Sequence, residues 1–164
     1  MRLAPQEMRT FFVTSSTWGR RQIFRARPMA ELFVRVCQDN REKGRFLLHE
    51  LVLMPDHFHL IITPAYEIPL EKAVQYLKGG YSFRVKKELG WAGEIWSSGF
   101  SEHRIKDAED YENHRNYILR NPVKASLVEF PEKYEYSSGS GCFEVDAAPP
   151  ALKRGSLVSP LSPG

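Results

Sequence analysis

The stretch Arg45 to Thr63, RFLLHELVLMPDHFHLIIT, limits the fold more than any other part of the chain. Two runs rich in β-formers, Arg45 to Met54 and His57 to Thr63, are separated only by Pro55-Asp56, which predicts two antiparallel strands joined by a tight hairpin. Upstream, Phe11 to Trp18 (FFVTSSTW) reads as a first strand. Pro28 then opens a helix in which Met29, Leu32, Phe33, Val36 and Cys37 recur at helical spacing, and Gly44 stands where a helix C-terminal glycine belongs. Downstream, Pro69 begins a second helix to about Leu89, with Gly79-Gly80 as an internal weak point. Glu94 to Ile105 reads as one or two short strand pieces around Gly99. A third helix starts at Asp107 and ends at Asn121-Pro122, because proline disfavours helix at the residue before it.

The order strand, helix, strand, strand, helix, strand, with a helix appended, predicts an α+β fold: a ferredoxin-like split βαβ antiparallel sheet with helices on one face. Residues 1–137 form one predicted domain. Residues 138–164, rich in Ser, Gly and Pro, are the expected polar tail, with disorder expected from Ala147 onward. No apolar run approaches the roughly 20 residues of a membrane helix. The start, MRLAPQEMRTFF, lacks the apolar stretch of a signal peptide. Cys37 and Cys142 have no metal-like spacing, so a disulfide framework or cysteine zinc site is not expected, and a cytoplasmic protein is.

Net charge is only +3, but it is unevenly spread. Residues 1–48 carry ten Lys/Arg against four Asp/Glu, whereas residues 125–146 hold Lys133 alone against Glu129, Glu132, Glu135, Glu144 and Asp146. A basic front half suits a polyanion such as nucleic acid; an ordinary solvated surface is an equal alternative on charge alone.

Alternate residues of a strand share a face, so His57 and His59 project side by side while Phe58 points the other way. Two imidazoles on one face offer a bidentate metal site, with two surface or hydrogen-bonded histidines as the competing reading; apolar Leu60, Ile61 and Ile62 favour the first by putting the pair on an interior strand where polar groups need partners. Asp56 serves first as a turn residue and secondarily as an acceptor that orients an imidazole. Glu50, on the same face as His59, is a weak candidate third ligand, and His49 is expected on the opposite face.

On the last helix, at about 100° per residue, Asp110, His114, Tyr117 and Asn121 form a polar stripe. A tyrosine beside an amide, on a helix able to pack by a metal-bearing strand, suggests a phenolate nucleophile. The competing reading is a boundary tyrosine with a packed ring and a wet hydroxyl. Six other tyrosines compete, notably Tyr76 and Tyr81.

With MPDHFHLIITP, LKGGYS, IWSSGFSEHRI and the later pattern D-Y-x-x-H-x-x-Y-I-x-x-N-P-V-K-A in this order, residues from Arg9 to Ser137 resemble the single-tyrosine transposases of the HUH superfamily, and within them the REP-associated tyrosine transposases. The resemblance implies that His57 and His59 bind a divalent metal, Mg2+ or Mn2+, with Tyr117 as nucleophile and Asn121 as the third metal-side residue. Related insertion-sequence transposases carry glutamine four residues after the tyrosine; asparagine here is one methylene shorter. The implied reaction is cleavage and rejoining of single-stranded DNA at repeat hairpins through a covalent 5′-phosphotyrosine. The implied enzyme is a monomer or homodimer, associated with the nucleoid when bound to DNA.

Arg9, Arg20, Arg21, Lys78, Arg84, Lys86, Lys87, Arg115, Arg120 and Lys124 are candidate phosphate contacts. Trp18, Trp91 and Trp96 are candidates for stacking on unpaired bases, with core packing as the competing role. Two further readings of function stand beside the transposase: a non-cleaving DNA-hairpin-binding module derived from such an enzyme, and a metal-dependent phosphoesterase using water. The last ordinarily needs more carboxylate ligands than this motif offers.

Overall fold

The computed structural model describes residues 8–149 and Leu152; the remainder of the expected tail, 150, 151 and 153–164, lies outside the described residues. The elements follow in the predicted order: β1 (Phe11–Ser16), α1 (Arg27–Glu42), β2 (Phe46–Met54), β3 (His57–Pro64), α2 (Leu70–Leu89), β4 (Ser101–Arg104) and α3 (Ala108–Lys124). The strands pair in the order β2-β3-β1-β4, all antiparallel, which is the ferredoxin-like arrangement. Pro55 and Asp56 form the whole hairpin loop, since Met54 pairs directly with His57.

Each face of the sheet has its own core. Val13, Leu48, Leu51, Leu53, Phe58, Leu60 and Ile62 pack with the apolar faces of α1 and α2. Val52, Met54 and Ile61 point the other way, onto Tyr111 and Ile118 of α3. The helix appended to the motif thus closes the face left open by α1 and α2, the face that carries His57 and His59. Both strands of the hairpin are apolar on both sides because both sides are covered.

Three local features differ from the expectations. A β-bulge between Leu48 and Glu50 inserts one extra residue in β2. Its consequence is that His49 joins Glu50 on the α3 face, with its ring 6.2 Å from Tyr111 and its Nε2 2.8 Å from the Thr63 hydroxyl. Strict alternation puts His49 on the opposite face, and a bulge is what breaks alternation. Next, α3 does not stop at Asn121-Pro122 but runs on to Lys124. Pro122 is buried, and that packing outweighs the one ladder hydrogen bond that proline removes. The Asp107 side chain caps the start of α3 by accepting from the Asp110 amide at 2.8 Å.

The third difference concerns the chain after Ser137. Val52 bridges Ser137, the Leu53 amide donates to the Tyr136 carbonyl, and the Asp146 amide donates to Leu48 O at 2.7 Å. Phe143 and Val145 pack against the larger core. Residues 136–147 therefore shield the free edge of β2, which would otherwise present unpaired backbone groups. This segment and Glu135 just before it supply acids to the basic front half. Glu135 takes both guanidinium nitrogens of Arg27 at 2.8 and 2.9 Å, and Asp146 is held bidentately by Arg41. Part of the uneven charge is thus internal pairing between distant segments.

Candidate active site

The hairpin register sets His57 and His59 side by side on the α3 face, with ring centroids 4.8 Å apart. Each imidazole is oriented through Nδ1. His57 Nδ1 lies 2.7 Å from Asp56 Oδ1, and His59 Nδ1 lies 2.7 Å from the Thr14 hydroxyl on the neighbouring strand. Asp56 therefore does more than make the turn. Its other oxygen accepts from Arg20 Nε at 3.1 Å, and Arg20 is held there with a left-handed backbone, φ 54°.

The Nε2 atom of His59 is buried and has no hydrogen-bond partner. Burial, with smaller contributions from His57 and Arg20, pushes the His59 imidazole down to about 3, so the ring is neutral, and with Nδ1–H donating to the Thr14 hydroxyl the lone pair lies on Nε2. An orphaned acceptor of this kind is costly unless something fills it. A divalent cation fits that donor set, because neutral imidazole nitrogens oriented through Nδ1 are ordinary metal ligands.

Tyr117 stands over this pair. Its ring is 5.2 Å from His59 at 78°, and 6.0 Å from Phe12 of β1 at 80°. The residue is 49% exposed, so its ring is fixed by these edge contacts while its hydroxyl is open to a ligand. A cavity of about 290 Å3 lined by Phe12, Asn113, His114 and Tyr117 opens beside it. The competing tyrosines are occupied elsewhere. Tyr81 is buried and donates to the Met29 carbonyl, and Tyr76 lies under the Arg45 guanidinium at 3.9 Å.

Asn121 follows Tyr117 by one turn of α3 and is half-buried; among the described residues it makes no hydrogen bond to either imidazole. Glu50 is engaged by Arg115 Nε at 3.1 Å and by the Ser138 hydroxyl, so each of its oxygens is already held in a hydrogen bond. One cluster escaped the sequence reading: His103 on β4, with Asp110 and His114 on α3, bring their ligating atoms within 4.8 Å of one another. The Asp110/His114 spacing of four residues was a visible signal; the arrival of His103 from a separate strand was not.

The ten basic candidates divide by their surroundings. Arg9, Lys86, Arg120 and Lys124 are exposed, and Lys87 lies over the exposed Phe83 ring. Arg20, Arg84 and Arg115 sit in ion pairs with Asp56, with Asp39 and Glu88, and with Glu50 and Glu112. Lys78 is turned inward onto the carbonyls of Ser97 and Gly99, and burial lowers its pKa. Arg21 lies 5.3 Å from the rings of both Trp18 and Trp91. Trp96 is a core residue, donating to Lys78 O and packed on Phe58 and Tyr81.

Burial also lowers the His49 pKa, against the Asp146 and Ala147 carbonyls that raise it. Both His49 and His59 are thus harder to protonate folded than unfolded, where histidine titrates near pH 6.5. Below that value the unfolded chain binds more protons, so stability is full above about pH 6.5 and falls as the pH drops toward 5. Urea unfolding at pH 7.5, 6.5 and 5.5 should show a falling midpoint. A midpoint constant over that window, which lies above the carboxylate range, would contradict neutral burial of these rings.

Comparison with known proteins agrees with this architecture. Residues 10–121 match the family described as Transposase IS200 like. A putative REP-associated tyrosine transposase of Haemophilus influenzae is 33% identical over 98 residues, covering 54% of this chain and only 56% of that protein. The REP-associated tyrosine transposase of Escherichia coli K12 is 24% identical over 140 residues, covering 80% of this chain and 81% of that one. In fold, the chain is similar to a REP-associated tyrosine transposase solved with a REP hairpin, with a TM-score of 0.69, 22% identity, and 90% and 88% of the two chains covered. A putative transposase from Deinococcus radiodurans aligns with a TM-score of 0.51 and 18% identity over 66% of this chain and 87% of that one. No described helix is long and apolar enough to cross a membrane. With the match spanning β1 to Asn121, and so the sheet, the histidine pair and the tyrosine helix, the chain belongs to the IS200-like transposase family, whose members are DNA-processing enzymes.

Proposed function

We propose that this transposase cuts and rejoins single-stranded DNA beside a hairpin, using Tyr117 as the nucleophile and His57 and His59 to hold a divalent cation. The observation that carries the reading is the seating of the Tyr117 ring against His59, whose buried Nε2 has no other partner. The Nε2 atoms of His57 and His59 would hold the ion, Mg2+ or Mn2+, with Asn121 as the third residue on its side. Bound there, the cation would polarise the scissile phosphate and offset charge developing on its oxygens.

The remaining chemistry belongs to the chain. The Tyr117 oxygen forms a bond to phosphorus as its proton passes to water on the exposed side of the ring. The bond from phosphorus to the 3′ oxygen of the preceding nucleotide breaks, and that oxygen takes up a proton. The products are a 5′-phosphotyrosine and a free 3′-hydroxyl. Because the ester conserves the energy of the broken linkage, attack by a 3′-hydroxyl reverses the step without ATP. Phe12 and His59 hold the tyrosine ring, Thr14 and Asp56 hold the imidazoles, and Arg20 holds Asp56. Arg120 and Lys124 lie three and seven residues after Tyr117, on the same stripe of α3, where exposed cations would grip phosphates flanking the cut.

The test is incubation of the chain with a labelled library of single-stranded hairpins carrying 5′ and 3′ flanks, in Mg2+ or Mn2+, followed by denaturing electrophoresis. The expected result is a denaturation-resistant protein–DNA adduct that disappears with a chelator. Tight hairpin binding with no adduct from any sequence would instead indicate the non-cleaving binding module.

A further inference from the structure

We propose that His103, Asp110 and His114 form a second divalent-cation site, separate from the His57–His59 pair, that fastens the helix bearing Tyr117 to the edge strand β4. The three ligands come from two elements, His103 from β4 and Asp110 and His114 from successive turns of α3. His103 Nε2 is 2.9 Å from Asp110 Oδ2; His114 Nδ1 is 3.1 Å from Asp110 Oδ1 and 2.9 Å from the Asp110 backbone carbonyl, a bond that an ion at Nδ1 would displace together with the ring proton. Donors bound about 2.1 Å from one ion at right angles to each other stand about 3 Å apart, so both separations from the carboxylate suit neighbouring coordination positions.

The surroundings suit a cation in two respects. The imidazoles are stacked, 4.6 Å apart and 19° from parallel, which holds both beside the Asp110 carboxylate. The Asp110 carboxylate also accepts from the Lys106 amide at 2.9 Å, which fixes its orientation between the two rings. Finally, the inner side is closed by Phe12, packed 4.7 Å from the His114 ring, while the His103 side chain keeps 39% of its surface open for water to complete the shell. Two nitrogens and one oxygen suit a borderline transition metal such as Zn2+ or Co2+.

The position gives the ion a structural task. Phe12 lies between the two groups, its ring 5.4 Å from His59 on one side and 4.7 Å from His114 on the other. An ion bridging β4 and α3 would fix the turn of helix immediately before Tyr117, and would add its binding free energy to the folded state. The proposal does not depend on the role given to His57 and His59: a single equivalent lost in His103→Gln and kept in His57→Ala/His59→Ala would support it and count against that role instead.

Co2+ is the probe, because its visible absorption reports nitrogen and oxygen coordination. The full chain is titrated in the absence of DNA, with bound metal counted after equilibrium dialysis. The expected result is two equivalents per chain, with thermal unfolding raised as each binds. His103→Gln keeps a hydrogen-bond donor toward Asp110 but cannot ligate through nitrogen; it should weaken one equivalent by more than about 100-fold and leave the other intact. His57→Ala/His59→Ala should do the reverse, retaining the equivalent that His103→Gln loses. Asp110→Asn, read alongside circular dichroism, provides a second variant at the same cluster. A single equivalent that vanishes with His57→Ala/His59→Ala, or a second one indifferent to both His103→Gln and Asp110→Asn, would overturn the proposal.

Discussion

Tyr117→Phe should reduce covalent attachment to single-stranded DNA by at least about a thousandfold while leaving hairpin affinity within about threefold. The size of the loss follows from removing the atom that forms the bond, for which no neighbouring group can substitute. Tyr76 and Tyr81, the alternative phenols, are held by Arg45 and by the Met29 carbonyl on the far side of the fold's chemistry. The small effect on binding follows from the ring. Its contacts to Phe12 and His59 are edge contacts of the aromatic system, which phenylalanine keeps, and the lost hydroxyl belongs to a half-exposed side chain. Stability should therefore also be unchanged to within about 0.5 kcal/mol, as for surface substitutions generally. Adducts are read on denaturing gels and affinity by filter binding or anisotropy. An adduct persisting in Tyr117→Phe would end the assignment of Tyr117 as nucleophile, and a parallel collapse of binding would mean that the residue acts mainly by gripping DNA.

His59→Leu should separate activity from stability in opposite directions. Adduct formation is expected to fall by at least about a hundredfold, because one of two imidazole donors is gone and the cation loses its seat. Stability, by contrast, should hold or rise. The wild-type ring buries an acceptor with no partner, and an apolar side chain of similar bulk removes that penalty. The Thr14 hydroxyl left behind is half-exposed and can turn to water. The gain should be largest at pH 5.5, since leucine also removes one of the two groups that bind more protons unfolded than folded. Such opposition is the usual signature of a site whose function requires a strained or unsatisfied group. A variant both inactive and markedly less stable, with its pH dependence unaltered, would show His59 to be an ordinary structural residue.

Much of this was legible along the chain because the signals are local. The hairpin rests on two β-rich runs and a Pro-Asp turn, and the side-by-side projection of His57 and His59 follows from the period of a strand. The stripe holding Asp110, His114, Tyr117 and Asn121 follows equally from the period of a helix. Even the weakness of Asn121 was visible, as a side chain one methylene short, and no hydrogen bond ties it to either imidazole among the described residues. What misled were local rules applied where packing had overridden them. Alternation failed at the His49 bulge, and the Asn121-Pro122 stop failed because burial of Pro122 carried α3 another turn.

The surface was the least legible part. Ten cations counted as equivalent in sequence are not equivalent in space: Lys78 is spent on carbonyls, and Arg84 and Arg115 on carboxylates, while Arg120 and Lys124 stay open beside Tyr117. On charge alone the basic front half suits an external polyanion and an ordinary solvated surface equally, and Arg27 and Arg41 are matched internally by Glu135 and Asp146, more than a hundred residues away. Polar composition after Ser137 suggested tail, but those residues cover the edge of β2.

The sequence alone determined the order of elements, the strand carrying the histidine pair and the helix carrying the tyrosine, because each depends on residues within a few positions of one another. Only the tertiary structure decided which face α3 would close, which of seven tyrosines would meet His59, and that His103 would join Asp110 and His114. Those outcomes depend on distant segments competing to bury the same apolar face and to satisfy the same polar atoms. Strand and helix periods fix where a side chain points, but not what it meets.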